Sequence, residues 1–362
     1  MSAEKRDYFM KTCMKLMILS ALGGAFLVGC GDDDAVVPDG GVVPDGGTAP
    51  VGVRESIFYI DDDTSARAEL PTPDINGTVS MPGTPPNGAA ADRACALAPT
   101  NIRPVETTAD VAVRMTVLDF QTDAPVNNVR VQFYRDNVFP DPVGGTFACG
   151  TGCQMGTSGA DGVVPDVMDS GASWYAYFIK GRMGPTSATT PVDTAQYNET
   201  AATTVTGNSV SASTLAVIPT VLGLMRQTGT ALVAGTFYDC NDEPVRGIVV
   251  RLFAEGADNT TTTDDTFIPN GTRRDQPGYR YFNGSSFPSG GQPFTNIDGL
   301  YAAGNVPVAA PIRVEAWYNA GTATAPDAQL WGCERIRVFP DGVTIVNVRP
   351  TRSDITGCTP AP

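Results

Sequence analysis

One ten-residue pattern occurs twice, and this duplication constrains the fold more than any other feature. "PVNNVRVQFY" at 125–134 matches "PVRGIVVRLF" at 244–253, and each copy follows a segment ending in aspartate, Asp119 or Asp239. Downstream, "TSGADGVV" at 157–164 matches "TNIDGLYA" at 295–302, with one extra residue between Thr157 and Asp161. "ASWYAYFIKG" at 172–181 then lies on "IRVEAWYNAG" at 312–321 without a gap. Each copy closes with two Thr- and Val-rich segments, "TTVTGNSVSASTLAVIP" and "RIRVFPDGVTIVNVRP". A segment order that repeats this way implies one supersecondary unit used twice.

The unit is built of strands. Apolar residues alternate over short runs bounded by Gly, Pro, Asn and Asp, and no long stretch after residue 30 sustains a helical period. In "GIVVRLFAE", Ile248, Val250 and Leu252 share one face, with Val249, Arg251 and Phe253 on the other. In "IRVEAWY", Ile312, Val314 and Ala316 face inward while Arg313, Glu315 and Trp317 face outward. The Asp-Gly pairs supply the positive backbone angle of a tight turn, and are turns before they are calcium sites.

This order resembles the carboxypeptidase regulatory-like domain, a transthyretin-like β-sandwich related to other Ig-like modules. The second copy carries the whole pattern: Asp239, Pro244, Val245, Val250, Leu252, Thr295, Asp298, Gly299 and Tyr301. The first copy has Val164 where the aromatic is expected. The resemblance implies an all-β chain of two tandem transthyretin-like, Ig-like β-sandwiches, at 111–222 and 228–350. The second contains an insert at 254–294, polar, Gly-rich and aromatic, which reads as a long loop of the kind that carries function or is merely tolerated. Residues 53–110 have no copy and read as partly loop, and 351–362 as a tail.

The other end of the chain speaks to location. Lys5, Arg6, Lys11 and Lys15 precede the apolar run "LMILSALGGAFLVG", which is too short to span a bilayer and reads as a secretory signal over 1–29. A start at Met10 leaves the same reading. Leu27-Val28-Gly29-Cys30 resembles the lipobox of bacterial lipoproteins. That resemblance implies cleavage before Cys30 and acylation of its sulfur, with several acyl chains making a lasting anchor. Residues 30–52 repeat Val-Val-Pro-Asp-Gly-Gly at 36–41 and 42–47, and form a flexible tether with too little apolar surface for a core. Asp32, Asp33 and Asp34 read as a solvated run rather than a cation site. Gly31 after the acylated residue favours the outer membrane.

Composition then removes function classes. The chain has no histidine, which takes away the usual general base of serine and cysteine hydrolases and the commonest zinc ligand. A formal charge of −15 argues against nucleic acid as a partner. No cofactor and no metal site is expected. Six cysteines follow Cys30: Cys95, Cys149, Cys153, Cys240, Cys333 and Cys358. In an exported chain they suggest up to three disulfides with open connectivity. The Cys149–Cys153 pair reads as a structural bridge before a redox or metal pair.

Two sets of aromatics are candidate binding surfaces. Tyr175, Tyr177 and Trp317 fall on outward strand faces, where they stack on sugars, bury against a partner, or pack across strands. Tyr279, Tyr281 and Phe282 lie in the insert beside Arg273, Arg274 and Arg280. The expected function is therefore a lipid-anchored envelope protein, structural or adhesive, binding an envelope protein or a glycan through these faces. A carbohydrate-binding lipoprotein is the alternative. A histidine-free glycosidase, requiring two carboxyls across a cleft, comes third, since nothing selects a pair; a serine nucleophile with Lys180 as base has no supporting motif either.

Overall fold

A computed structural model describes residues 74–75, 89–91, 113–120, 122–134, 153–167, 178–184, 194–199, 204–241, 243–256, 265–271, 273–283, 287–289, 292, 294–296, 298–308, 311–319 and 328–350. The signal, Cys30, the tether and the tail lie outside these residues.

Apart from one helix, the described elements are strands. In the first half these are β1 (Asp74–Ile75), β2 (Ala89–Ala90), β3 (Val113–Asp119), β4 (Arg130–Tyr134), β5 (Cys153–Thr157), β6 (Val163–Val167), β7 (Phe178–Gly184), β8 (Thr194–Glu199) and β9 (Thr204–Ser209). Helix α1 (Ala212–Val221) follows. The second half holds β10 (Ala231–Thr236), β11 (Val249–Ala254), β12 (Thr266–Ile268), β13 (Gly278–Phe282), β14 (Pro288–Ser289), β15 (Leu300–Val306), β16 (Ile312–Asn319), β17 (Ala328–Ile336) and β18 (Val343–Val346).

The duplication is visible in the strand order. In the first copy β3 pairs antiparallel with β6 and parallel with β9. In the second, β10 pairs antiparallel with β15 and parallel with β18. Opposite these lie two antiparallel sets with matching order, β5-β4-β7-β8 and β12-β11-β16-β17. The two sandwiches share a sheet. β18 pairs parallel with β8, joining the sets into one nine-stranded sheet in the order β14-β13-β15-β10-β18-β8-β7-β4-β5.

Hydrogen bonds repeat along with the strands. Val129 N–H donates to Ser158 Oγ at 2.9 Å, and Ser158 Oγ donates to Val126 O at 2.6 Å. Ile248 N–H donates to Thr295 Oγ1 and Thr295 Oγ1 donates to Val245 O, both at 2.9 Å. Thr295 therefore corresponds to Ser158, not Thr157, and the apparent extra residue of the first copy disappears. Three residues on, Asp161 and Asp298 each accept from the backbone N–H two positions ahead, Val163 and Leu300. Between them, Gly162 and Gly299 have φ of 76° and 64°. A Cβ at either would come within 2.6 Å of a carbonyl oxygen, Val117 or Phe237, so glycine is required twice over.

A second correction concerns the aromatic-bearing strand. Lys180 stands opposite Tyr134 in β4, and Arg313 stands opposite Phe253 in β11. Arg313 thus matches Lys180, rather than Ser173 as the ungapped reading requires. That reading followed the aromatic string "SWYAYF", whereas the paired strand is "FIKGRMG", whose glycines and charges hide its periodicity.

Helix α1 was not expected from the sequence, which read this stretch as strand. Ser211 caps its start by accepting from Thr214 N–H at 3.1 Å. It ends with Gly223 at φ 68°, Gly223 N–H bonded to Thr220 O and Leu224 N–H to Pro219 O, the pattern of a Schellman cap. Leu215, Ile218, Leu222 and Leu224 bury against Leu232, Leu300, Ala302 and Val343 on the outer face of the shared sheet. Strands β10 and β15 are therefore covered on both sides, which explains their continuous apolar runs. On their other face Val233, Tyr301 and Ala303 enter the larger sandwich core with Val250, Leu252, Val314 and Trp331. Met115, Val117, Val131, Phe133, Val164 and Val205 fill the smaller core of the first copy.

Candidate functional site

The face that the sequence reading held to be exposed is the outer side of the four-stranded sheet. It carries side chains of alternate residues on β11, β12, β16 and β17. Register sets Phe267, Phe253, Arg313 and Arg335 in one row across the strands, and Arg251, Glu315 and Cys333 in the next. Trp317 follows one step further along β16.

Arg313, Glu315, Cys333 and Trp317 are buried, the others are half-buried, and the charges are engaged with partners. Arg313 is 4 % exposed. Its Nε and one terminal nitrogen each reach Asp265 Oδ2 at 2.9 Å, and its other terminal nitrogen pairs with Glu315. Its guanidinium also lies 4.4 Å over the Phe253 ring. Arg251 sits 4.4 Å from the Phe267 ring and 5.1 Å from that of Phe253. Arg335 Nε donates to Glu255 Oε2 at 2.5 Å. Burial pushes the Glu255 carboxyl above the usual glutamate range, against the opposing pull of Arg335. Burial likewise lowers Arg313, against the opposing pull of Asp265.

Trp317 does not serve as an open stacking platform. It is 7 % exposed, and its Nε1–H donates to Glu315 Oε2 at 2.7 Å. The chain Trp317–Glu315–Arg313–Asp265 links β16 to the residue just before β12, and so fastens the insert to the sandwich. The sequence signal for this layer is the polar and aromatic alternation of "RVEAW" and "ERIR". Alternation alone tells which residues share a face, not whether that face is covered.

The insert is also corrected. Rather than a long loop it adds β12 to one sheet and the β13–β14 hairpin to the other. Tyr279, Tyr281 and Phe282 are buried and act as rivets. Tyr279 O–H donates to Ile268 O, and burial drives its phenol well above the ordinary tyrosine range. Tyr281 Oη accepts from Val250 N–H at 2.9 Å. Phe282 packs in the cluster beneath α1. Arg280 Nε donates to Leu222 O at 2.8 Å, at the end of that helix. Arg273 and Arg274 are exposed, and Arg273 pairs with Asp275 at 3.1 Å. Asn305 joins the insert to the inter-unit segment: its Nδ2 donates to Met225 O, Arg274 O and Gln276 O, and its Oδ1 accepts from Gln227 N–H.

Of the other candidates, Tyr175, Tyr177, Cys95, Cys149 and Cys358 lie outside the described residues. Cys153 opens β5. Cys240 and Cys333 are disulfide-bonded. Among the described residues, no group of three or more His, Cys, Asp or Glu is placed to hold a metal ion, and no helix is long and apolar enough to cross a membrane. The ordered carboxylates of this face are committed to arginines, an arrangement suited to holding strands together rather than to moving protons.

No protein-family model matches the chain, and no curated protein is similar to it. Among solved structures it is similar to a streptococcal ancillary pilin, at 12 % identity over 68 % of this chain, with a TM-score of 0.19. It spans 63 % of that pilin's length. It is also similar to the shaft pilin SpaA from Lactobacillus rhamnosus GG, at 10 % identity over 68 % of this chain and 99 % of the pilin, with a TM-score of 0.18. Likeness of this size does not bear on function.

Proposed function

We propose that this chain is a lipid-anchored, non-catalytic envelope protein whose paired sandwiches hold a structural or adhesive surface away from the membrane. The observation that carries the reading is the nine-stranded sheet drawn from both copies. It makes two modules into one body, which suits a spacer that transmits position or load. Two independent modules on a flexible joint would not do so.

Other features support the same reading. Leu27-Val28-Gly29-Cys30 and the Pro/Gly tether provide an anchor and a leash. The matched Ser158 and Thr295 clamps, each followed by Asp-Gly, support two modules of the carboxypeptidase regulatory-like type. The absence of histidine and the commitment of Asp265, Glu315 and Glu255 to arginines favour a role without bond-making. Burial of Trp317 removes one of the platforms on which a glycan-binding role would rest.

The test is a pair of chains expressed in a bacterial host that processes lipoproteins, wild type and Cys30→Ala. The wild-type chain is expected to incorporate radiolabelled palmitate and to sediment with membranes until detergent is added. Cys30→Ala is expected to lose the label and the sedimentation together. A Cys30→Ala chain that still requires detergent for release would overturn the anchor.

A further inference from the structure

We propose that β5 is the contact through which two copies of this chain pair, antiparallel and edge to edge about a two-fold axis, so that one sheet runs through both.

The proposal starts from the edges that the topology leaves. A strand edge is a template for pairing, and chains protect it with proline, charge, shortness or cover. Five of the outer strands show such protection. β6 carries an exposed Pro165. On β9, Gln196 Nε2 donates to Thr206 O and Gln196 Oε1 accepts from Asn208 N–H, so one side chain occupies its outward backbone groups. β14 is two residues long and begins with Pro288. β12 is three residues long and follows Asp265. Along β17, Leu330, Trp331, Cys333, Glu334 and Ile336 are all buried.

Among the described residues β5 shows none of these defences. It reads Cys-Gln-Met-Gly-Thr, with no proline and no charge, and ends the nine-stranded sheet with no described strand beyond it. Met155 is 46 % exposed, and Thr157 is exposed too. Ser158 donates its N–H to Val129 O, so by alternation Gln154 and Gly156 face β4 while Met155 and Thr157 turn their backbone groups to the open edge. The side chain of Met155 is steadied by Arg130, whose terminal nitrogen lies 3.3 Å from its sulfur.

Three features select a second copy as the occupant. The same sheet already grows by joining one sandwich edge to another, at β8 and β18, and β5 is its other end among the described strands. A strand set against itself meets its own charges; the residues of β5 carry none, although the chain as a whole has a formal charge of −15 and the Arg130 guanidinium lies against Met155. The far end of the sheet is blocked by Pro288, so pairing at β5 closes as a dimer and does not run on into a fibre. A five-residue strand pair buries less than the roughly 1,000 Å² of a stable interface, so the dimer is weak in solution and is favoured by confinement on a surface.

The experiment is density-matched sedimentation equilibrium of the full wild-type chain in detergent, from about 10 to about 500 µM, where weak interfaces saturate. The expected result is a monomer–dimer equilibrium weakened at least about tenfold by Met155→Lys, which sets two like charges across the axis. Thr157→Pro, which removes an outward donor and leaves the β4 ladder whole, should weaken it similarly. Met225→Lys, at a residue 57 % exposed elsewhere, should leave it unchanged. A wild-type chain that stays monomeric across the range overturns the proposal. So does undiminished dimerisation of Thr157→Pro, even if Met155→Lys fails to fold. The inference does not rest on the lipid anchor, which the palmitate experiment tests separately.

Discussion

Thr295 is fully buried, and its hydroxyl closes the second sandwich by accepting from Ile248 N–H while donating to Val245 O. Replacing it by valine keeps the shape but strands a buried donor and a buried acceptor. Each costs about 1–3 kcal/mol, so Thr295→Val is expected to lose about 2–6 kcal/mol by urea denaturation, with Thr295→Ser recovering most of it. A loss below about 0.5 kcal/mol would mean the hydroxyl is incidental. Glu255 makes a different prediction at this scale. Its folded carboxyl binds protons more tightly than in the unfolded chain, because burial outweighs the pull of Arg335. Its contribution is therefore fully present below the ordinary glutamate value and is lost as pH rises through the higher folded value. The stability of Glu255→Gln relative to wild type should improve as pH rises from about 4 to about 8, read as the difference in thermal midpoints. A difference that is flat, or that moves the other way, would show that Arg335 wins.

At the level of elements, what could be read from the chain depended on how each strand is covered. Strands with one apolar face, such as β11 and β16, announce themselves by alternation, and their inward residues Val250, Leu252, Val314 and Ala316 were assigned correctly. The turn signals also transferred, since Asp161-Gly162 and Asp298-Gly299 each form a turn held by the aspartate side chain. Alternation failed for β7, where Gly181 and Gly184 interrupt it and a neighbouring aromatic string offered a better false match. Helix α1 was missed because ten residues containing Pro219 show little helical period, and the helix is fixed by caps and by the sheet beneath it. The insert was read as loop because its strands are two to five residues long. Their stability comes from Tyr279, Tyr281 and the Asp265–Arg313 pair, contacts made with distant strands and so not local signals. For the same reason the burial of Trp317 could not be inferred: a face is known from spacing, but its cover is a tertiary fact.

Across the whole molecule, the junction of β18 with β8 decides whether the chain behaves as one body or two. Gly342 O accepts from Leu232 N–H in β10, and Val348 exchanges bonds with Thr236 and Tyr238. Even-numbered residues of this segment thus face β10, which leaves Val343 and Ile345 to face β8 by the alternation of a parallel strand. Proline at Ile345 removes a donor on the β8 side and fills no position needed by β10. If the shared sheet couples the sandwiches, the wild-type chain should unfold in a single calorimetric transition whose van't Hoff and calorimetric enthalpies agree. Ile345→Pro should divide it in two, with the smaller core around Met115, Val117 and Phe133 melting first because it buries fewer large side chains. A variant that merely shifts one transition downward would place the coupling in α1 and its contacts with β10 and β15. Two transitions already present in the wild type would dissolve the coupling itself, and with it the argument that this protein holds its outer surface at a fixed distance from its tether.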